Sequence, residues 1–415
     1  MSVSATLAAD ETARRLRAQG IDVLPLGFGQ AGLPVHPLLR QAIADAAGRN
    51  GYGSVAGSDE LREAAAGYWR RRGLPTDAGQ VLAGPGSKAL LYAAVQAIGA
   101  DVVLPRPSWA SYAAQVTLLG SRPLYVPTRP GEGGVPAPDL LADAVLRARA
   151  DGREVGAVVL TVPDNPTGTM ASAGTIERIC AAARDLDLVI ISDEIYRDLV
   201  YGGTFASPAE FAPERVLVTS GLSKSLALGG WRLGVARLPT GEVGSRLSGR
   251  MLSAASEIWS SVAQPVQYAA AQALGEPAEL VRYVASARKL YQAITTAVAG
   301  VFTAAGASVS LPQAAFYLYP DLEPLREQLA GAHGVRTGAE LAQELLNRYG
   351  VAVLPGSAFG ERPESLTLRV STGMLTGGDD EQRLTALTSA EPLRLPWIAG
   401  PIDRLAAALS DLIPA

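Results

Sequence analysis

From Gln80 to Arg237 the chain repeats one pattern: a short apolar run, a turn rich in glycine, proline or serine, then in most cases a helical stretch. The runs are Gln80 to Ala83, Asp101 to Leu104, Pro123 to Val126, Gly156 to Thr161, Leu186 to Ser192, Arg215 to Thr219 and Leu233 to Arg237. Strands that alternate with helices in this way form an α/β layer, its helices crossing over a mostly parallel sheet. A large domain on a seven-stranded sheet is therefore expected. Ahead of it lie helical stretches at about Thr12 to Gln19 and Leu38 to Ala47, and a helix from about Asp59 to Arg72 that Ser58 can cap. After it the chain returns to helix at about Ala254 to Leu274 and continues to about Ala305. Beyond Gly306, short strands (Phe316 to Tyr319, Val351 to Leu354, Leu366 to Ser371) sit between helices, which predicts a smaller α+β domain. A proline-bounded linker, Pro392 to Pro396, then leads to a last amphipathic helix, Ile402 to Leu412. The expected division is residues 1–48 as an N-terminal segment joined to the small domain, 49–290 as the large domain and 291–415 as the small one.

A length of 415 residues accommodates such a division. The net charge is -4, and no basic run exceeds Arg70-Arg71-Arg72, which argues against nucleic acid or an anionic membrane as the main partner. No uninterrupted apolar run is long enough to span a bilayer. Met1 to Arg17 carries Asp10 and Glu11 and lacks the apolar centre of a signal peptide. Cys180 is the single cysteine and reads as a buried small hydrophobe; it cannot form an internal disulfide, and a reducing, cytoplasmic location is expected. With His36 and His333 as its two histidines, the chain has no basis for a histidine or thiolate metal site.

Of 36 basic residues three are lysines, Lys88, Lys224 and Lys289. Lys224 lies in the small-residue loop Ser220-Gly221-Leu222-Ser223-Lys224-Ser225, eight residues before Arg232. A lysine in such a loop is ordinarily a solvated side chain. Unlike arginine, however, lysine can lose its proton and attack a carbonyl carbon, most simply to form a Schiff base. Further groups fall at the ends of the expected strands, where open α/β sheets bind ligands. Gly84-Pro85-Gly86-Ser87-Lys88 opens a helix and suits a phosphate. Pro107-Ser108-Trp109 offers a flat ring that can stack on another, and Asn165 sits between prolines in Asp164-Asn165-Pro166-Thr167-Gly168. Asp193, in Ser192-Asp193-Glu194-Ile195-Tyr196, can hold a ring nitrogen protonated. Arg369 lies among alternating apolar residues, where a charge calls for a carboxylate partner. By contrast, Gly27-Phe28-Gly29-Gln30-Ala31-Gly32 spells a dinucleotide fingerprint but is followed by Pro34 and Pro37 where a helix should open, so it is a turn-rich loop.

The ordered set Gly86-Ser87-Lys88, Trp109, Asn165-Pro166-Thr167-Gly168, Asp193 to Tyr196, Ser223-Lys224, Gly230 to Gly234 and Arg369 resembles the class I/II aminotransferases, pyridoxal-phosphate enzymes with the aspartate-aminotransferase type of fold. The resemblance covers about Leu24 to Ser371. It implies a transaminase in which Lys224 forms the Schiff base and moves the substrate proton, while Asp193 pairs with the pyridine nitrogen. Asn165 and Tyr196 would hold the ring oxygen, and Trp109 would stack on the ring. Gly86, Ser87, Lys88, Ser223 and Arg232 would hold the phosphate, reached by Tyr52 of a second subunit in a homodimer. Arg369, with Asn165 and Gly29, would bind the amino-acid or 2-oxo-acid substrate. On the same scaffold a lyase, cyclase or oxidase is the alternative, and a non-catalytic cofactor-binding regulator a second one. Where the family often has Gly-Glu-Pro-Asp-Phe, this chain has Gly29-Gln30-Ala31-Gly32-Leu33, and a stretch at about Thr376 to Pro396 looks inserted. No second arginine is placed for a dicarboxylate. Glu257 facing a basic side chain and an apolar pocket made by Trp259 and Phe28 are the other options for substrate.

Overall fold

The computed structural model describes residues 5–413. Its strands, in chain order, are β1 Leu24–Pro25, β2 Val81–Gly84, β3 Asp101–Arg106, β4 Pro123–Arg129, β5 Glu132–Pro136, β6 Val155–Thr161, β7 Val189–Asp193, β8 Val216–Gly221, β9 Gly234–Arg237, β10 Tyr317–Leu318, β11 Val351–Ala352, β12 Leu354–Pro355 and β13 Leu368–Ser371. Eight of them form one sheet in the order β2-β9-β8-β7-β6-β3-β4-β5. The pairs β4/β3, β3/β6, β6/β7 and β7/β8 are parallel, and β9 runs antiparallel to both β8 and β2. The expected α/β fold is what forms, with one strand more than the seven expected. That strand, β5, folds back on β4, and its sequence Glu132-Gly133-Gly134-Val135-Pro136 reads as a loop because glycine and proline are poor strand formers. The glycines are there for space: a Cβ on Gly133 would fall on Thr167 and Asp164, and one on Gly134 on the Thr161 carbonyl.

The interior strands are buried at nearly every position because helices cover both faces of the sheet, as in β6 (Val155–Thr161) and β8 (Val216–Gly221). From β3 the chain moves outward to β4 and then returns past β3 to β6. The order therefore reverses between β3 and β6, and that reversal opens a crevice beyond the strand ends. The chain leaving β3 carries Trp109, and the chain leaving β6 carries Asn165.

The long helical return is three helices, Gly241–Ile258, Gln264–Leu274 and Ala278–Ala304, broken at 259–263 and 275–277. The third, 27 residues long, buries Leu280, Tyr283, Ala287, Tyr291, Ile294 and Val298, a three-to-four spacing that lays one stripe against the core. Beyond it β10, β13 and β12 form a three-stranded antiparallel sheet, the core of the smaller α+β part. The N-terminal segment returns to this part of the chain: β1 pairs in parallel with β11, and Arg404 pairs with Asp22 at 2.6 Å. The stretch at 376–396 contains a helix, Asp380–Thr388, and the last helix begins at Pro396, with Pro401 inside it. Proline is tolerated in a first turn, where its missing N–H has no partner to lose, so the start precedes the expected Ile402. Among the described residues no helix is long and apolar enough to cross a membrane.

Candidate active site

β8 and β9 approach closely, and a Cβ on Gly221 would stand 2.8 Å from the Leu233 carbonyl. The connection between them, residues 222–233, must bulge away from the sheet. Its path uses positive φ at Ala227 (56°) and Arg232 (55°) and a short 3-10 turn at Gly229–Trp231. Lys224 lies on this bulge, and its Nζ donates to the Gly29 carbonyl at 2.6 Å. Loss of hydration and the nearby charges of Arg369, Arg232 and Lys88 depress its pKa from 10.5 to about 8, against the opposing pull of Asp193.

Asp193 ends β7 and is 3% exposed. Its Oδ2 accepts from the Tyr112 hydroxyl at 2.9 Å, and its Oδ1 from Thr219 Oγ1 and the Ile195 amide, both at 3.3 Å. Tyr112 is in turn 2.9 Å from Thr161 Oγ1. Burial pushes the Asp193 carboxyl up to about 6, while these donors and the Lys224 charge pull the other way, so it is an anion at neutral pH.

Arg369, on β13, is 1% exposed. Its Nη2 donates to the Gly27 carbonyl and its Nη1 to Asn165 Oδ1 at 3.4 Å, while its buried Nε has no partner. Tyr317 and Phe359 flank the guanidinium, each ring centroid 5.1 Å from Cζ. A buried cation with neutral acceptors and an unused N–H is costly until an anion meets it. Tyr317 also faces Tyr196, with the two hydroxyls 2.8 Å apart.

The opposite end suits a phosphate. Helix Ser87–Ile98 starts at Gly86, φ 89°, and no side chain caps it, so its first N–H groups lack partners within the helix. Arg232 reaches over this turn to the Pro85 carbonyl at 3.3 Å, and a Cβ on Gly86 would fall on its guanidinium. Asp193 for a protonated ring nitrogen, the uncapped turn for a phosphate and Lys224 for a carbonyl together fit pyridoxal phosphate.

All of these groups surround one cavity of about 560 Å³. Of the expected residues, Lys224, Asp193, Tyr196, Asn165, Trp109 and Arg369 line it, as do Ser87, Lys88, Ser223, Arg232 and Gly29. Gly86 lies behind Arg232. Tyr52 does not line this cavity and is 95% exposed. Phe28 is in the lining, whereas Trp259 is not, and Glu257 is exposed at the end of helix Gly241–Ile258. Sequence reasoning missed Tyr112, Thr161 and Tyr317. Tyr112, three residues after Trp109 and so one turn along the helix Ala110–Leu118, could have been found from that spacing. The N-terminal helix Ala5–Ala18 adds Leu7 and Arg14 to the cavity wall.

The model of the family "Aminotransferase class I and II" matches residues 21–387. The aspartate/prephenate aminotransferase of Thermus thermophilus is 33% identical over 365 residues, 86% of this chain and 89% of that protein. The aspartate aminotransferase of Geobacillus stearothermophilus is 33% identical over 384 residues, 90% of this chain and 93% of that protein. Among solved structures, aspartate aminotransferase from Thermus thermophilus with maleate superposes with a TM-score of 0.83 at 29% identity, covering 98% of this chain and 97% of that one.

The depressed pKa of Lys224 sets an expectation for the cofactor-free protein. Labelling of Lys224 by an amine reagent, followed by mass spectrometry with exposed Lys289 as the rate reference, should rise with a midpoint near pH 8. Asp193→Asn should lower the midpoint, because Asp193 favours the ammonium, and Arg369→Ala should raise it. A midpoint near 10 in the unsubstituted protein contradicts the assigned environment.

Proposed function

The chain belongs to the class I and II aminotransferases, and on that premise we propose that it holds pyridoxal phosphate through Lys224 and transfers the amino group of a dicarboxylic amino acid to a 2-oxo acid. The observation that carries this reading is the convergence of a lysine, a buried carboxylate and a buried arginine on one cavity.

Bound pyridoxal phosphate supplies an electron sink that stabilises negative charge at the substrate Cα. The protein's part is to hold, orient and move protons. Asp193, fixed by Tyr112 and Thr219, is an anion able to keep the ring nitrogen protonated. Asn165 and Tyr196 present hydrogen-bond donors to the ring oxygen, and Trp109 offers its face to the ring. The amides of Ser87 and Lys88, the Ser223 hydroxyl and Arg232 serve the phosphate. Arg369 takes the substrate α-carboxylate with N–H groups that otherwise meet only carbonyl oxygens. Lys224, whose pKa burial lowers, takes the proton from Cα and returns it.

The purified holoprotein should be yellow, borohydride should bleach it and leave the cofactor covalently attached to the chain, and Lys224→Ala should abolish that attachment. Mixed with an amino acid, it should turn over only when a 2-oxo acid is present; turnover without one would indicate a lyase or an oxidase.

Two features support a dicarboxylic substrate. One relative is named for aspartate and prephenate and another for aspartate, and both of these compounds are dicarboxylic acids. In this chain Lys88 lines the cavity 4.9 Å from the Trp109 ring, and among the described residues no carboxylate lies within ion-pairing distance of it. Burial and the Arg232 charge lower its pKa, so an anionic group beside it would relieve both. Lys88 thus supplies the second cation that arginine placement alone left open. Lys88→Ala should raise KM for a dicarboxylic donor by about 10- to 100-fold, the worth of one charged hydrogen bond, with little change for alanine. Equal losses for both donors would assign Lys88 to the cofactor instead.

The exposed Tyr52, absent from its own cavity, supports a homodimer in which it reaches the partner's phosphate. Light scattering should give twice the chain mass, and a fully active monomer would overturn this.

A further inference from the structure

Tyr317 is 0% exposed on β10, where it pairs with Ser371 of β13, two residues from Arg369. Its hydroxyl meets that of Tyr196 at 2.8 Å, with the rings edge to face at 5.4 Å and 86°. Each phenol has one proton, so whichever hydroxyl donates within the pair leaves the other free to donate elsewhere. The pair has two arrangements. In one, Tyr196 donates to Tyr317, and Tyr317 donates to the Gly29 carbonyl 3.5 Å away. That distance is at the outer limit of a hydrogen bond. In the other, Tyr317 donates to Tyr196, and Tyr196 directs its proton into the cavity. An acceptor in the cavity beside Tyr196 favours the second arrangement.

Resting on the reading that this cavity holds pyridoxal phosphate, we propose that Tyr317 is a positioning residue: its hydroxyl donates to Tyr196 and so directs the single Tyr196 proton to the ring oxygen. Gly29 belongs to the same device. Any side chain at that position would collide with the Tyr317 hydroxyl and push it off Tyr196. The charged groups facing the pair are Arg369, 5.1 Å from the Tyr317 ring centroid, Lys224, 5.8 Å from that of Tyr196, and Asp193. All remain in Tyr317→Phe, which also keeps the ring that packs against Phe316 at 4.9 Å. The substitution therefore removes the hydrogen bond and leaves the packing.

The test is a pH titration of the visible absorption of bound pyridoxal phosphate, without substrate, in the unsubstituted protein, Tyr317→Phe, Tyr196→Phe and the double variant. Without the Tyr317 donor, Tyr196 is a weaker donor and the anionic ring oxygen is less stabilised. The midpoint in Tyr317→Phe should rise by about 0.5 to 1 pH unit, the scale of one hydrogen bond. It should rise further in Tyr196→Phe, and adding Tyr317→Phe to that variant should move it no more. An unmoved midpoint in Tyr317→Phe, or an equal shift in both backgrounds, overturns the role of Tyr317. A protein that acquires no visible band with pyridoxal phosphate overturns the cofactor reading itself, and this proposal with it.

Discussion

Asp193 lies almost wholly out of water at the end of a central strand, and an anion so placed persists only where donors and cations offset its lost hydration. The donors come from the neighbouring strand (Thr219 on β8), from the turn just after β7 (the Ile195 amide) and from the helix after β3 (Tyr112). Three parts of the large sheet are thereby tied to one carboxylate. The cation that acts on it is Lys224, from the β8–β9 bulge, while Arg369 from the small sheet and Lys88 from an uncapped helix line the same cavity. Positive charge in the cavity exceeds what Asp193 can balance. That imbalance suits the site to ligands carrying several negative charges.

How much of this could be read from the chain depends on whether a residue's role is local. Lys224, Asn165 and Asp193 were legible because each sits at a strand end, in a turn whose composition marks it. Arg369 was legible because a charge among alternating apolar residues has to be explained. Tyr317 was not, since Phe316-Tyr317-Leu318-Tyr319 reads as an ordinary strand core, and its value comes from Tyr196, 121 residues away. Strand β5 was hidden for a related reason: Gly133 answers to the side chains of the 164–169 turn and Gly134 to the Thr161 carbonyl at the end of β6, contacts between segments that local pattern does not encode. Lys88 was found, but for its backbone; that its side chain faces the cavity emerges only in three dimensions.

The two parts of the molecule are joined at the site by aromatic contact. Tyr291, on the long helix, packs on Phe316 at 5.0 Å, and Phe316 on Tyr196 at 6.0 Å. The helix thus reaches the Tyr196 side of the cavity through two rings. A buried hydrogen bond between Thr295 and Thr372 at 2.7 Å fixes the same helix just beyond β13. Such packed contacts hold Arg369 in position relative to Lys224 without either residue touching the other.

Cys180 carries a different kind of consequence. It is fully buried in the helix Ala173–Asp185, its thiol pushed up to about 12 by burial. A thiol with so little thiolate and no exposure is nearly inert to alkylating and maleimide reagents. The molecule is in effect chemically silent toward sulfur-directed labels. One cysteine introduced at an exposed position would be its sole addressable thiol, so a fluorophore or spin label could be placed at a chosen point without first removing a native residue.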